Sequence, residues 1–192
     1  VFIGSPSFQK SELYIGNENQ KFTLSDQKDI QEDMLSEDVD ALFFDVDTDN
    51  DLDLYVVSGG NEFSQTTNSL KDRLYINDDW FFKKQKDLPQ IIQNNSVVIN
   101  YDYNLDGYED LFVGGRVISN NYGKIPTSYL LLNQKNGNFK IDKIFTDLGM
   151  ITDAKWEDIN GDGIKDLITC GDWNNINLFY NDGTSLVKDS SF

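Results

Sequence analysis

The apolar residues of this chain fall in short β-branched and aromatic runs, broken at close intervals by Asn, Asp and Gly. Ala41-Leu-Phe-Phe44 is followed across a polar stretch by Leu52-Asp-Leu-Tyr-Val-Val57, Val97-Val-Ile99 by Leu111-Phe-Val113, and Ala154-Lys-Trp156 by Leu167-Ile-Thr-Cys170. Runs of this length, ended by turn residues, predict strands. The second strand of each pair closes on apolar-apolar-glycine or a looser form of it: Phe2-Ile-Gly4, Val57-Ser-Gly59, Phe112-Val-Gly114 and Thr169-Cys-Gly171. A third strand follows each time, as Leu13-Tyr-Ile15, Leu74-Tyr-Ile-Asn77, Leu130-Leu-Leu-Asn133 and Leu178-Phe-Tyr-Asn181. Turns rich in Asn, Asp and Gly, the chemistry of hairpins, then lead to a fourth: Lys21-Phe-Thr-Leu24, Trp80-Phe-Phe82, Asn138-Phe-Lys140 and Ser185-Leu-Val187.

Four short strands in a repeat of roughly 56 residues predict an all-β fold of the β-propeller type, one four-stranded blade per repeat. A blade cannot bury its apolar faces alone, so neighbouring repeats must stack. The blades are expected at residues 38–83, 96–141 and 148–190, with a partial blade of three strands at 1–25, about 3.75 blades in all. Because four blades is the low end for closure, the expected protein continues in both directions, to seven or eight blades. Helical character is confined to Asp26 to Ser36; that stretch and Lys84 to Gln93 read as connections between blades.

Between the first two strands of three repeats lies a second pattern. Asp45-Val-Asp47-Thr-Asp49-Asn-Asp51-Leu-Asp53, Asp102-Tyr-Asn104-Leu-Asp106-Gly-Tyr-Glu-Asp110 and Asp158-Ile-Asn160-Gly-Asp162-Gly-Ile-Lys-Asp166 each carry Asp or Asn at positions 1, 3, 5 and 9. Calcium takes about six to eight oxygen ligands, and a short loop of this kind can wrap one ion. Position 7 (Asp51, Tyr108, Ile164) would contribute its backbone carbonyl, so its side chain is free to vary. Position 6 turns sharply, which suits Gly107 and Gly163 and leaves Asn50 as the tolerated substitute. An EF-hand would need Glu at position 12, where this chain has Val56, Val113 and Thr169. Each ion, about three in total, would therefore tie a β-hairpin. The competing reading is a bare Asp-rich turn, which these residues favour without metal; the same four positions, repeated three times, argue against it.

Charge and composition narrow the partners. The net charge is −17 with no histidine. That argues against nucleic acid, whose phosphates are bound by Lys and Arg, and against anionic membranes. No apolar run is long enough to cross a bilayer as a helix. The lone Cys170 lies in an apolar strand and reads as a buried structural thiol. The Gly59-Gly60 and Gly114-Gly115 pairs lack the Lys-Ser/Thr of a phosphate loop and read as turns. The chain starts within a strand, without Met or a signal peptide, and reads as a fragment or processed piece.

The loops and the apolar-apolar-glycine strands together resemble the FG-GAP, or VCBS-type, repeat family, whose best-known members are the propeller heads of integrin alpha chains. Gly149-Met-Ile-Thr-Asp-Ala-Lys-Trp-Glu-Asp158 and Leu111-Phe-Val-Gly-Gly-Arg-Val117 are similar to bacterial members of that family. The resemblance covers the whole chain. It implies a propeller with calcium held by Asp45, Asp47, Asp49 and Asp53; by Asp102, Asn104, Asp106 and Asp110; and by Asp158, Asn160, Asp162 and Asp166. The function expected is a calcium-stabilised, non-catalytic binding or adhesion scaffold, secreted or at the cell surface, facing an unknown protein or glycan. The alternative is a propeller-based carbohydrate-active enzyme or carbohydrate-binding module. For catalysis Glu62, Glu109, Glu157 and Asp172 are the free acids; for sugar stacking, Trp80, Trp173 and Tyr122 are the aromatics, with Trp80 and Trp156 read as strand residues that pack the core.

Overall fold

The structure is a computed structural model that describes residues 1–61 and 67–191. Fifteen strands form four antiparallel sheets, each a meander in chain order. The first holds β1 (Phe2–Ile3), β2 (Glu12–Gly16) and β3 (Phe22–Ser25). The second holds β4 (Glu37–Phe44), β5 (Asp53–Gly59), β6 (Arg73–Asp78) and β7 (Phe81–Lys84). The third is β8 (Asn94–Tyr101), β9 (Asp110–Val117), β10 (Ser128–Asn133) and β11 (Phe139–Phe145). The fourth is β12 (Met150–Glu157), β13 (Asp166–Asp172), β14 (Asn177–Asn181) and β15 (Leu186–Lys188). One helix, α1 (Lys28–Glu32), and a single 3₁₀ turn at Asn68–Leu70 complete the described elements.

The sheets pack face to face in sequence order, and period-two alternation shows why. Every residue of β5 is buried. Leu54 and Val56 point to the first sheet, where they meet Leu13, while Tyr55 and Val57 point to the third, where they meet Val98 and Leu111. In β9, Leu111 and Val113 serve the second sheet and Phe112 the fourth, beside Ile151 and Phe179. A strand buried on both faces reads as a continuous apolar run, which is how these segments stand in the sequence.

The repeat glycines mark where backbones approach closely. A Cβ on Gly114 would lie 2.7 Å from Ile151 Cγ2 and 2.7 Å from Val97 Cγ1, and one on Gly59 would collide with Val39 Cγ2. Opposite them the first strand of each complete sheet is bulged, between Asp38 and Asp40, Asn95 and Val97, and Ile151 and Asp153. Polar ties cross the same interfaces. Asp40 Oδ2 accepts from Val98 N at 2.9 Å, Ser96 Oγ donates to Ile151 O at 2.6 Å, and Arg116 pairs with Asp172 at 2.7 Å.

Some expectations need correction. Trp80 is not a strand residue: it sits in the turn before β7 with φ 71° and is exposed, whereas Trp156 is buried in the core as expected. Cys170 is half-buried, not buried, because it faces the outer side of the last sheet. β11 and β12 run several residues beyond the segments read from sequence, carried by alternation that charged residues interrupt in the pattern.

Candidate metal-binding loops

The three acidic loops join the first and second strands of the second, third and fourth sheets, and they share one hydrogen-bond framework. Position 1 accepts the amide of position 6 each time: Asn50 N to Asp45 Oδ2 at 3.0 Å, Gly107 N to Asp102 Oδ2 at 2.8 Å, Gly163 N to Asp158 Oδ2 at 2.9 Å. Position 5 accepts the amide of position 7, so Asp49, Asp106 and Asp162 receive Asp51, Tyr108 and Ile164. Asn104 and Asn160 at position 3 accept the amide of position 5. These are nested Asx turns, which short acidic and amide side chains form locally.

Two backbone positions in each loop are left-handed. Position 6 is Asn50 (φ 73°), Gly107 and Gly163, as read from sequence. Position 4 is Thr48 (φ 65°), Leu105 (φ 58°) and Gly161. A β-branched residue there is strained, and the sequence signal was one glycine in three copies. Thr48→Gly is expected to raise stability by about 1 kcal/mol by relieving that strain. Equilibrium urea unfolding checks it, and an unchanged or lower midpoint counts against it.

The carboxylate at position 9 is buried at the base of the loop. Asp53 accepts Val46 N at 2.9 Å and Asn77 N at 2.8 Å; Asp110 accepts Asn133 N at 2.9 Å; Asp166 accepts Ile159 N at 3.1 Å and Asn181 N at 2.8 Å. Burial, with the acids of the same loop adding to it, pushes Asp53 up to about 6 and Asp110 to about 7. Asp47 and Asp51 are raised for the same two reasons.

The donor set fits a hard cation. Carboxylate oxygens of Asp45, Asp47 and Asp49 lie within 4.8 Å of one another. Asp47 Oδ1, Asp51 Oδ1 and Asp110 Oδ2 are buried and have no hydrogen-bond partner. A buried carboxylate oxygen without a donor is costly, and a divalent cation would supply its counter-charge. In loop two Lys135 Nζ approaches Asp106 Oδ2 at 3.4 Å from above the Tyr108 ring.

Sequence reasoning missed three residues that hold these loops. Asn133 and Asn181 end the third strand of their sheets and Asn77 stands one residue before the end of β6, and each does three jobs. The backbone amide serves position 9. The side-chain amide donates to the position-8 carbonyl, of Leu52, Glu109 and Lys165, at 3.2 Å each time. The side-chain oxygen accepts from the following turn, from Trp80, Lys135 and Gly183. Two of the three also cross to the preceding sheet: Asn133 Nδ2 reaches Val46 O at 2.7 Å, and Asn181 Nδ2 reaches Tyr103 O at 3.1 Å. Their signal was a strand ending in Asn in three copies, read above as turn chemistry alone.

The remaining candidates are dispersed. Glu109 accepts Asn100 Nδ2 at 2.6 Å, Glu157 pairs with Lys155 at 2.7 Å, and Asp172 pairs with Arg116; Glu62 lies outside the described residues. Trp173 and Tyr122 meet edge to face at 5.2 Å on the surface. Among the described residues no helix is long and apolar enough to cross a membrane.

Comparison with known proteins agrees with this repeat geometry. A search of curated proteins returns no match. Residues 102–169, from the first residue of loop two to the strand after loop three, match the family model described as FG-GAP-like repeat. Loops, strands and this match converge on one conclusion: the chain carries an FG-GAP-like repeat.

Proposed function

We propose that the four sheets are blades of a β-propeller, that the three acidic loops bind calcium, and that the protein is a non-catalytic binding scaffold acting outside the cell. The observation that carries this reading is the common loop framework with buried carboxylate oxygens left unpartnered, Asp47 Oδ1, Asp51 Oδ1 and Asp110 Oδ2. The ions would be held by Asp45, Asp47, Asp49 and Asp53; by Asp102, Asn104, Asp106 and Asp110; and by Asp158, Asn160, Asp162 and Asp166, with the position-7 carbonyls of Asp51, Tyr108 and Ile164. Calcium supplies charge neutralisation there, and the chain's own part is to preset the turns by hydrogen bonds. Extracellular modules bind calcium at about 10⁻⁴ to 10⁻³ M, a range that suits secretion or display at the cell surface. The partnered state of Glu109, Glu157 and Asp172 supports a non-catalytic role. Calcium added through the millimolar range to EGTA-treated protein is expected to raise its melting temperature; no shift at any concentration would sink the reading.

Glycan recognition is a second reading, favoured by one observation. Trp173 is 75% exposed, stands at φ 59° and is braced by Tyr122, so a rigid aromatic surface faces solvent, as sugar stacking requires. On a glycan array, Trp173→Ala is expected to weaken any glycan bound by wild type by about tenfold, or ~1.4 kcal/mol. Binding unchanged by the substitution, or no glycan bound at all, overturns it.

A further inference from the structure

At the end of the second sheet opposite loop one, three connections frame a pocket of 390 Å³. They are the segment after α1 that leads into β4, the segment from the 3₁₀ turn into β6, and the chain leaving β7. The volume lies within the range of small-molecule sites, about 300–1,000 Å³. Its charge runs against the rest of the molecule. Acids outnumber Lys and Arg by 33 to 16 in the chain, yet four cations, Lys71, Arg73, Lys84 and Lys86, line this pocket against three acids, Glu32, Asp33 and Asp72. A cleft that gathers one sign of charge focuses its field on a ligand of the other.

The acids are already engaged. Asp33 takes Lys84 Nζ at 2.5 Å and Tyr75 OH at 2.7 Å, and Glu32 pairs with Lys28. Asp72 uses both oxygens on Ser58 N, Tyr55 OH and Asn95 Nδ2. The cations keep capacity. Lys71 Nζ meets the side-chain oxygen of Gln90, and among the described residues neither Lys71 nor Lys86 pairs with an acid. Arg73, 4% exposed, gives Nη2 to Asp38 and has no partner for Nε. The repeat does not call for an arginine there. Arg73 stands opposite Val56, and the same register position holds Tyr129 opposite Val113 in the third sheet and Asn177 opposite Thr169 in the fourth.

The remaining wall is neutral. Ser36, Asn68, Ser69 and Gln85 bring hydroxyls and amides that both donate and accept, beside the apolar surface of Leu88 and Pro89. Unpaired ammonium groups suit a carboxylate, amides and hydroxyls suit hydroxyl groups, and a short apolar surface suits the face of a sugar ring. We infer that this pocket binds a small acidic saccharide, a pyranose bearing a carboxylate, with the carboxylate held by Lys71 and Lys86. The pocket shares no residue with the acidic loops or with Trp173 and Tyr122, so the inference depends neither on calcium nor on glycan stacking at Trp173.

The probe is sodium glucuronate, titrated into ¹⁵N-labelled protein and followed by amide chemical shifts, with glucose and sodium acetate as the two halves of the ligand. Saturable shifts are expected at residues 68–73 and 84–90, with glucose and acetate each binding at least about tenfold more weakly. Lys71→Gln combined with Lys86→Gln is expected to weaken glucuronate by at least about tenfold; neither side chain is buried, so the fold is not at stake. Arg73 is left intact because its pair with Asp38 is buried. Lys124→Gln combined with Lys140→Gln removes the same charge from exposed positions elsewhere and should leave binding unchanged. No saturable shift, acetate or glucose as tight as glucuronate, an equal loss in the control pair, or shifts confined to Trp173 each overturn the inference.

Discussion

Asp47→Ala is expected to lose about a third of the calcium-dependent rise in melting temperature, with little change in EGTA. Asp106→Ala should lose a similar share on top of about 1 kcal/mol in EGTA, because the Asp106 carboxylate accepts Tyr108 N and pairs with Lys135. An ion that binds the folded form alone adds RT ln(1 + [Ca²⁺]/Kd), about 2.7 kcal/mol per site at a hundred times Kd. For a chain of this length that is roughly 5–10 °C per loop. The absence of a penalty in EGTA for Asp47→Ala follows from the geometry. Asp47 Oδ1 has no hydrogen-bond partner to lose, and removing one carboxylate relieves the like-charge crowding that raises its neighbours. Differential scanning calorimetry in EGTA and in a calcium series decides the matter. If both variants keep the full wild-type shift, calcium acts elsewhere; if Asp47→Ala is already destabilised in EGTA as much as Asp106→Ala and neither loses calcium response, the acids serve the turn and not an ion.

Arg73→Met should be the most damaging single substitution outside the loops, costing on the order of 3–5 kcal/mol. The Arg73–Asp38 pair closes at 2.6 Å with both side chains almost fully buried. Asp38 uses its second oxygen to accept Ser5 N at 3.1 Å and Ser11 Oγ, so this one carboxylate joins the first sheet to the second. Taking away the guanidinium strands a charge that water cannot reach. Removing both partners is a different experiment, since the desolvation cost goes with them; Arg73→Met with Asp38→Asn should unfold at a higher temperature than Arg73→Met alone. Chemical denaturation of wild type, both singles and the double gives the coupling. A single-variant loss under about 1 kcal/mol would mean that the pair is worth no more than one at the surface.

Strand order and sheet count were legible because they rest on short-range chemistry: apolar runs of strand length, Asn-Asp-Gly turns, and a repeat that supplied the same reading several times. The acidic loops were legible for the same reason, down to the left-handed sixth position. What escaped depended on contacts made across the repeat. Asn133 and Asn181 look like turn residues until the carbonyls of Val46 and Tyr103 are seen at the far side of an interface. Trp80 reads as a strand residue beside Phe81 and Phe82, yet Asn77 Oδ1 accepts its amide and turns the chain there. The Asp38–Arg73 pair left no trace in the pattern, since 35 residues separate partners that a sheet brings together. The bulge is likewise a property of two strands and leaves no mark in one.

The asparagine crossing sets the symmetry class of any assembly built from these units. At the two interfaces it spans, one sheet offers an apolar residue and a carbonyl and the next an amide, so the contact is heterologous, head to tail. A heterologous contact cannot end in a two-fold pair. It propagates, and the rotation between successive units alone selects between a closed ring and an open filament.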